Sequence, residues 1–316
     1  MLSALALAGC AVVDRRADRR AAAAEAAYPP EGEFATVAGR RVHYVTEGSG
    51  PDLILLHGAS GNTRDFTFDF VDRVKDRYRV TVFDRPGLGY TDRARPGLDG
   101  PFDTRAESAA EQAALLAAAA RKLGLRNPIV LGHSYGGAVA MAWALNEDPA
   151  AIVVVSGATE PWSGRLAAVY GASAAPLGGA TLVPLISAFA TAGQLRMAVE
   201  AIFAPQKPPP GYLAHIGAPL SLRRDSFRAN ARQVGNLRPE LVEMAPRYGT
   251  LTLPVEIVHG TADRVVPIDV HAEVLLQQVP SAHLTRLEGV GHMPHHAAPE
   301  AVVAAIDRAA RRAGLR

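Results

Sequence analysis

Short apolar runs recur from Phe34 onward, each bounded by Gly, Pro, Asp or Asn, and the stretches between them carry helical spacing. Runs such as DLILLH at 52–57, RVTVFD at 79–84, AIVVVS at 151–156 and PVEIVH at 254–259 are too short for helices and too apolar for exposed edges. They predict strands, together with 35–38, 42–47, 128–133 and 283–288. Helices are predicted near 63–75, 104–123, 135–147, 269–278 and 298–313, the second and last being rich in alanine. Strands alternating with helices imply an α/β fold around a mainly parallel sheet.

The alternation stops between the strands at 151–156 and 254–259. Residues 159–249 hold Trp162, Tyr170, Phe189, Phe203, Tyr212, Phe227 and the stiff Pro208-Pro209-Pro210. This segment is expected to be a helical cap that roofs an apolar pocket, set between core segments 34–158 and 250–316. Any single aromatic there is equally served by fastening the cap to the core.

Composition narrows the function classes. The chain has 316 residues, 48% of them hydrophobic, enough for a large core. A net charge of +2 with scattered Lys and Arg gives no nucleic-acid footprint. The single cysteine, Cys10, excludes an intrachain disulfide and any cysteine-based metal centre. Cys10 closes the apolar run MLSALALAGC, and Leu7-Ala8-Gly9-Cys10 resembles the lipobox of bacterial lipoprotein precursors. That resemblance implies a signal over 1–10, lipidation of Cys10 and a membrane tether in the cell envelope, with 11–33 as a flexible leash, helical in part up to Pro29-Pro30. No Lys or Arg precedes the run, and the alternative is an apolar N-terminus on a cytoplasmic protein.

The chemistry concentrates after the fifth apolar run. Ile129-Val130-Leu131 leads into Gly132-His133-Ser134-Tyr135-Gly136, and AVAMAWAL follows as a buried helix. A G-x-S-x-G sequence between strand and helix is a nucleophile elbow, in which the glycines let the backbone fold back and leave the serine oxygen exposed. An attacking serine needs a base, usually histidine, oriented by a carboxylate. Gly260-Thr261-Ala262-Asp263 follows the seventh strand and Gly289-Val290-Gly291-His292 the eighth, giving the chain order Ser134, Asp263, His292. Glu160 and Asp269 compete with Asp263 for the acid, and His295 and His296 with His292 for the base. The i, i+3, i+4 spacing of 292, 295 and 296 would suit a metal, but no carboxylate partner is evident in the sequence, so no metal or other cofactor is expected.

These segments, with His57-Gly58-Ala59-Ser60-Gly61 and Asp84-Arg85-Pro86-Gly87-Leu88-Gly89, resemble the capped serine hydrolases of the α/β-hydrolase superfamily over residues 34–313. The resemblance implies an α/β-hydrolase fold, with a mostly parallel eight-stranded sheet flanked by helices and a helical cap. It implies Ser134 as nucleophile, His292 as general base, Asp263 as its orienting acid, and an oxyanion hole from the backbone N–H groups of Ala59 and Tyr135. His57 and His133 are expected to be hydrogen-bonded structural residues, and Asp84 and Arg85 to pin a loop by a charge-assisted bond.

Serine at the elbow also selects the reaction. Relatives that open epoxides or displace halide attack an alkyl carbon with a carboxylate, and a serine would leave a stable ether there. A serine acyl-enzyme formed on a carbonyl is hydrolysed by the same histidine. The expected substrate is a small to medium apolar carboxylic ester. The alternatives are carbon–carbon bond hydrolysis or acyl transfer with the same residues, and ligand capture without catalysis.

Overall fold

The computed structural model describes residues 2–164 and 167–316. Strands β1 (Glu33–Val37), β2 (Arg40–Glu47), β3 (Asp52–Leu56), β4 (Arg79–Phe83), β5 (Ile129–His133), β6 (Ala151–Val155), β7 (Val255–Gly260) and β8 (Ala282–Leu287) form one sheet. Its order is β1-β2-β4-β3-β5-β6-β7-β8. β1 and β2 pair antiparallel, β2 joins β4 antiparallel, and all other pairs are parallel. This is the α/β-hydrolase fold.

The alternation of a strand explains how one apolar run fills two cores. Ile54, Leu56, Val130, Ile152, Val154 and Ile257 face α3 (Ala109–Lys122) and α4 (Tyr135–Asn146). Leu53, Leu55, Ile129, Leu131, Val153 and Val155 face the opposite side, against Phe66, Phe70 and the C-terminal helix. Both faces being covered, β3, β5, β6 and β7 are buried throughout. The connection from β4 to β5 crosses back over β3, so the loops after β3 and β5 diverge from neighbouring strand ends. That switch point is where α/β folds open a crevice.

Several expected elements shift. In place of a helix over 63–75 stand α2 (Arg64–Thr67) and a tight turn at Val71–Arg73. No side chain caps α2 at Thr63, and the broken path buries Phe66, Phe70, Val71 and Val74 together. α3 starts at Ala109, because the Ser108 side chain and Glu111 close a capping box. The last helix, α13 (Pro299–Arg312), stands where it was expected, and one further short helix, α12 (Pro294–Ala297), precedes it and is separated from it at a proline.

Between β6 and β7 lie α5 (Ala168–Ala174), α6 (Pro176–Ala180), α7 (Leu182–Phe189), α8 (Ala192–Phe203), α9 (Tyr212–His215) and α10 (Arg224–Met244). α11 (Ala272–Gln278) follows β7. α10 starts over the crevice and ends in the core, where Leu237, Leu241 and Met244 are buried. The inserted segment therefore rejoins the core before residue 250.

The N-terminal segment is not the flexible leash expected of 11–33. α1 (Leu2–Ala27) is one helix docked on α7. Ala17 and Ala24 are buried against the inserted helices, small enough for close approach. Arg224 pairs with Asp14 at 2.5 Å and with Asp18, and Arg223 pairs with Glu25 at 2.8 Å. Alternating charges along an alanine-rich helix thus serve as docking contacts, where sequence alone suggested solvation.

Candidate active site

The turn after β5 is built by two glycines that admit no substituent. A Cβ on Gly132 would stand 2.0 Å from the Gly136 carbonyl oxygen, and one on Gly136 would stand 2.3 Å from that of Leu56. Ser134 between them has φ 54 and ψ −120, a conformation costing a non-glycine residue about 1–3 kcal/mol. The strain lifts its hydroxyl over the end of the sheet.

The Ser134 Oγ lies 2.9 Å from His292 Nε2, and His292 Nδ1 lies 2.7 Å from Asp263 Oδ2. All three side chains are buried. The other oxygen of Asp263 accepts the backbone N–H groups of Val265 and Val266 at 2.8 and 2.9 Å. Burial alone would raise the Asp263 carboxyl. Hydrogen bonds involving His259, His292 and the Val266 N–H outweigh it, and hold the group well below the usual carboxylate range. It is an anion beside His292 at any working pH.

The competing acids sit elsewhere. Glu160 is buried, accepts a 3.3 Å hydrogen bond from Gln278, and is pushed up by that burial to about 7. Asp269 is exposed. The competing bases belong to a separate cluster. Asp65 Oδ2 is 3.3 Å from His295 Nε2, and Asp65 Oδ1 is 3.1 Å from His296 Nε2 and accepts the Tyr212 hydroxyl at 2.7 Å. Asp65 is the carboxylate partner that the sequence did not reveal. Asp65, His295 and His296 offer three ligand atoms within 4.8 Å of one another, a set that could hold a metal ion. They are also complete as an ion pair. Burial would lower His296, but hydrogen bonds to Asp65 and Asp69 raise it to about 9, and Asp65 is held well below its ordinary value.

His57 and His133 are fixed by hydrogen bonds. His57 Nε2 accepts the Arg85 N–H at 3.0 Å while Nδ1 donates to the Gly58 carbonyl at 2.9 Å. Burial, then the Arg85 charge, lowers His57 to about 4, so it is neutral. His133 Nε2 donates to the His292 carbonyl at 2.9 Å. Asp84 and Arg85 each pin a loop, but they do not bond to each other. Asp84 accepts from His43 Nδ1 at 2.6 Å and from the Thr63 and Tyr90 N–H groups. Arg85 holds the loop after β3 through the carbonyls of His57 and Gly58.

Next in that loop is Ala59. Among the described residues neither its backbone N–H nor that of Tyr135 has a hydrogen-bond acceptor. Asn230 of α10 holds the adjoining Ser60, accepting its N–H at 2.7 Å and donating to its hydroxyl at 2.9 Å. Neither Asn230 nor the partners of Arg85 could be read from local pattern. Ala59, Ser134 and His292 line one side of a cavity of about 780 Å³, and apolar side chains of α7 and α8 line the other.

The profile of the Alpha/beta hydrolase family matches residues 53–305. The chain belongs to that family. The uncharacterized protein Rv2715 of Mycobacterium tuberculosis is 28% identical over 292 residues, covering 89% of this chain and 81% of that protein. Among solved structures, an esterase from Exiguobacterium antarcticum superposes with a TM-score of 0.69 at 21% identity, over 88% of this chain and 99% of its own. A bacterial membrane phospholipase A superposes with a TM-score of 0.68 at 20% identity, over 98% of this chain and 96% of its own. This chain is thus an α/β hydrolase.

Proposed function

We propose that this hydrolase cleaves small to medium apolar carboxylic esters through an acyl-enzyme on Ser134. The observation that carries the reading is the continuous hydrogen-bonded path from Ser134 through His292 to Asp263 at the floor of an apolar cavity. His292 takes the serine proton as Oγ attacks the ester carbonyl, and Asp263 steadies the imidazolium that forms. The carbonyl oxygen, now an anion, is received by the free N–H groups of Ala59 and Tyr135, worth a few kcal/mol each in the transition state. His292 returns the proton to the leaving alcohol. It then activates water, which releases the acid and restores Ser134. No step needs a cofactor.

The esterase among the structural neighbours supports the substrate class, as does the cavity's apolar wall. The test is a fluorophosphonate probe together with a panel of p-nitrophenyl esters. Wild type should label and turn over short esters, and Ser134→Ala should do neither, with at least about a thousandfold loss of kcat. A folded wild type that neither labels nor hydrolyses any ester of the panel overturns the reading.

A lipid anchor on Cys10 is proposed separately. Cys10 is exposed on α1, four residues before the first of the docking ion pairs, at Asp14. Mass spectrometry of protein from its native membrane fraction should find a lipid-modified Cys10 as the N-terminus, and an intact Met1 would refute the modification.

A further inference from the structure

The cavity opens through an apolar rim. Val169, Leu185, Phe189 and Val265 all line it, yet they remain 43%, 46%, 49% and 53% exposed. Leu177 and Met197, also on inserted helices, are 73% and 61% exposed. Apolar area left in water forgoes about 25 cal/mol per Å², and a contiguous apolar face around a site entrance marks a surface that meets something apolar.

α1 is fastened to that rim. Arg16 lies 4.9 Å over the Phe189 ring and donates to the Ala188 carbonyl at 2.7 Å, and Arg20 donates to the Ala190 carbonyl at 2.5 Å. These bonds hold the C-terminal end of α7, where Phe189 stands. Residues 9–12 are exposed, and no charged residue occurs from Leu2 to Val13. At 1.5 Å per residue the helix ahead of Asp14 is about 18 Å long in the full chain, and in a chain that begins at lipidated Cys10 it is the single apolar turn Cys10–Val13 beside the acyl anchor. Arg15 and Arg19, one turn apart, are exposed and pair with no carboxylate among the described residues. Among the described residues no single helix is long and apolar enough to cross a membrane. An apolar helix start, flanked by free guanidinium groups on a helix that is fastened to an apolar rim, has the chemistry of an interfacial anchor on an anionic bilayer.

We propose that the start of α1 and the rim at Leu185 and Phe189 dock on an anionic lipid surface, and that the acyl substrate enters the cavity from it as a membrane-dissolved lipid ester. The substrate half rests on the esterase reading above. Because α1 is docked and not a leash, attachment to the membrane also aims the mouth at it.

The test uses the full chain with Cys10→Ser, so that no lipid modification contributes, and one fluorophore on a new cysteine at Leu185→Cys or at Glu300→Cys, an exposed position on α13 that does not line the cavity. Vesicles contain phosphatidylglycerol and a nitroxide-bearing lipid as quencher. Quenching of the Leu185→Cys label at least threefold stronger than that of the Glu300→Cys label is expected. No vesicle association, or equal quenching at both positions, overturns the docking. In parallel, Arg15→Glu with Arg19→Glu should lower the ratio of vesicle-ester to soluble-ester turnover about tenfold, and an unchanged ratio overturns the route of entry. If no ester is hydrolysed at all, the esterase reading fails while the quenching still decides the docking.

Discussion

The Arg85 guanidinium donates to the His57 carbonyl at 2.9 Å and to the Gly58 carbonyl at 3.1 Å, immediately before Ala59. Gln112 and Gln233 accept from its Nη1 at 2.7 and 3.1 Å, and its Cζ lies 4.3 Å from the centre of the Tyr135 ring. One buried cation therefore touches the segments that supply both proposed oxyanion donors. It acts on the chemistry only through them.

Arg85→Lys keeps the charge but loses the planar fork that reaches two carbonyls at once. The expected outcome is a fall in kcat of about 10–100-fold with KM changed less than threefold, read from steady-state kinetics on a short ester. A change in KM alone would show that Arg85 shapes the cavity and not the oxyanion donors.

Glu160 gives a stability prediction of definite sign. Burial raises its carboxyl to about 7, so the folded protein holds that proton more tightly than the unfolded chain does. Its unfavourable contribution appears as pH rises from about 4.5 through 7. Glu160→Gln removes the charge, and should stabilise the protein at pH 8 by up to about 3 kcal/mol while leaving it nearly neutral at pH 4.5. Denaturant titrations at the two pH values check this. Retained ester turnover in the same variant would separate Glu160 from the acid beside His292.

His296 has the opposite logic. Its imidazole is raised to about 9 between Asp65 and Asp69, so the stability it contributes is full below about 6.5 and is lost as pH rises through 9. The stability difference between wild type and His296→Gln should shrink by up to about 3 kcal/mol between pH 6 and pH 10. A difference independent of pH would mean that His296 contributes packing against Phe203 and Tyr212 only.

What could be read in advance was local. The elbow at Gly132–Gly136, Asp263 and His292 each follow a strand end by a few residues, so the strand pattern placed them at the C-terminal end of the sheet. The turn Gly260-Thr261-Ala262-Asp263 already favoured Asp263 over Glu160, although both follow adjacent parallel strands, and the structure puts Asp263 2.7 Å from His292. Asp65, Tyr212 and His296 lie far apart in sequence and meet only when the inserted helices close over α2. The same holds for Asn230 at Ser60. α1 escaped recognition as a docked helix because alanines make its buried contact, and alanine spacing reads equally as a solvated helix.

The central claim is a covalent intermediate on Ser134. The direct measurement is acid-quenched, single-turnover reaction with p-nitrophenyl butyrate followed by peptide mapping in a mass spectrometer, using Asp263→Asn to slow deacylation. The account predicts a butyryl group on the peptide containing Ser134, formed with the release of p-nitrophenol and absent in Ser134→Ala. Ester turnover that persists in Ser134→Ala, or a butyryl group found on another residue, would contradict it.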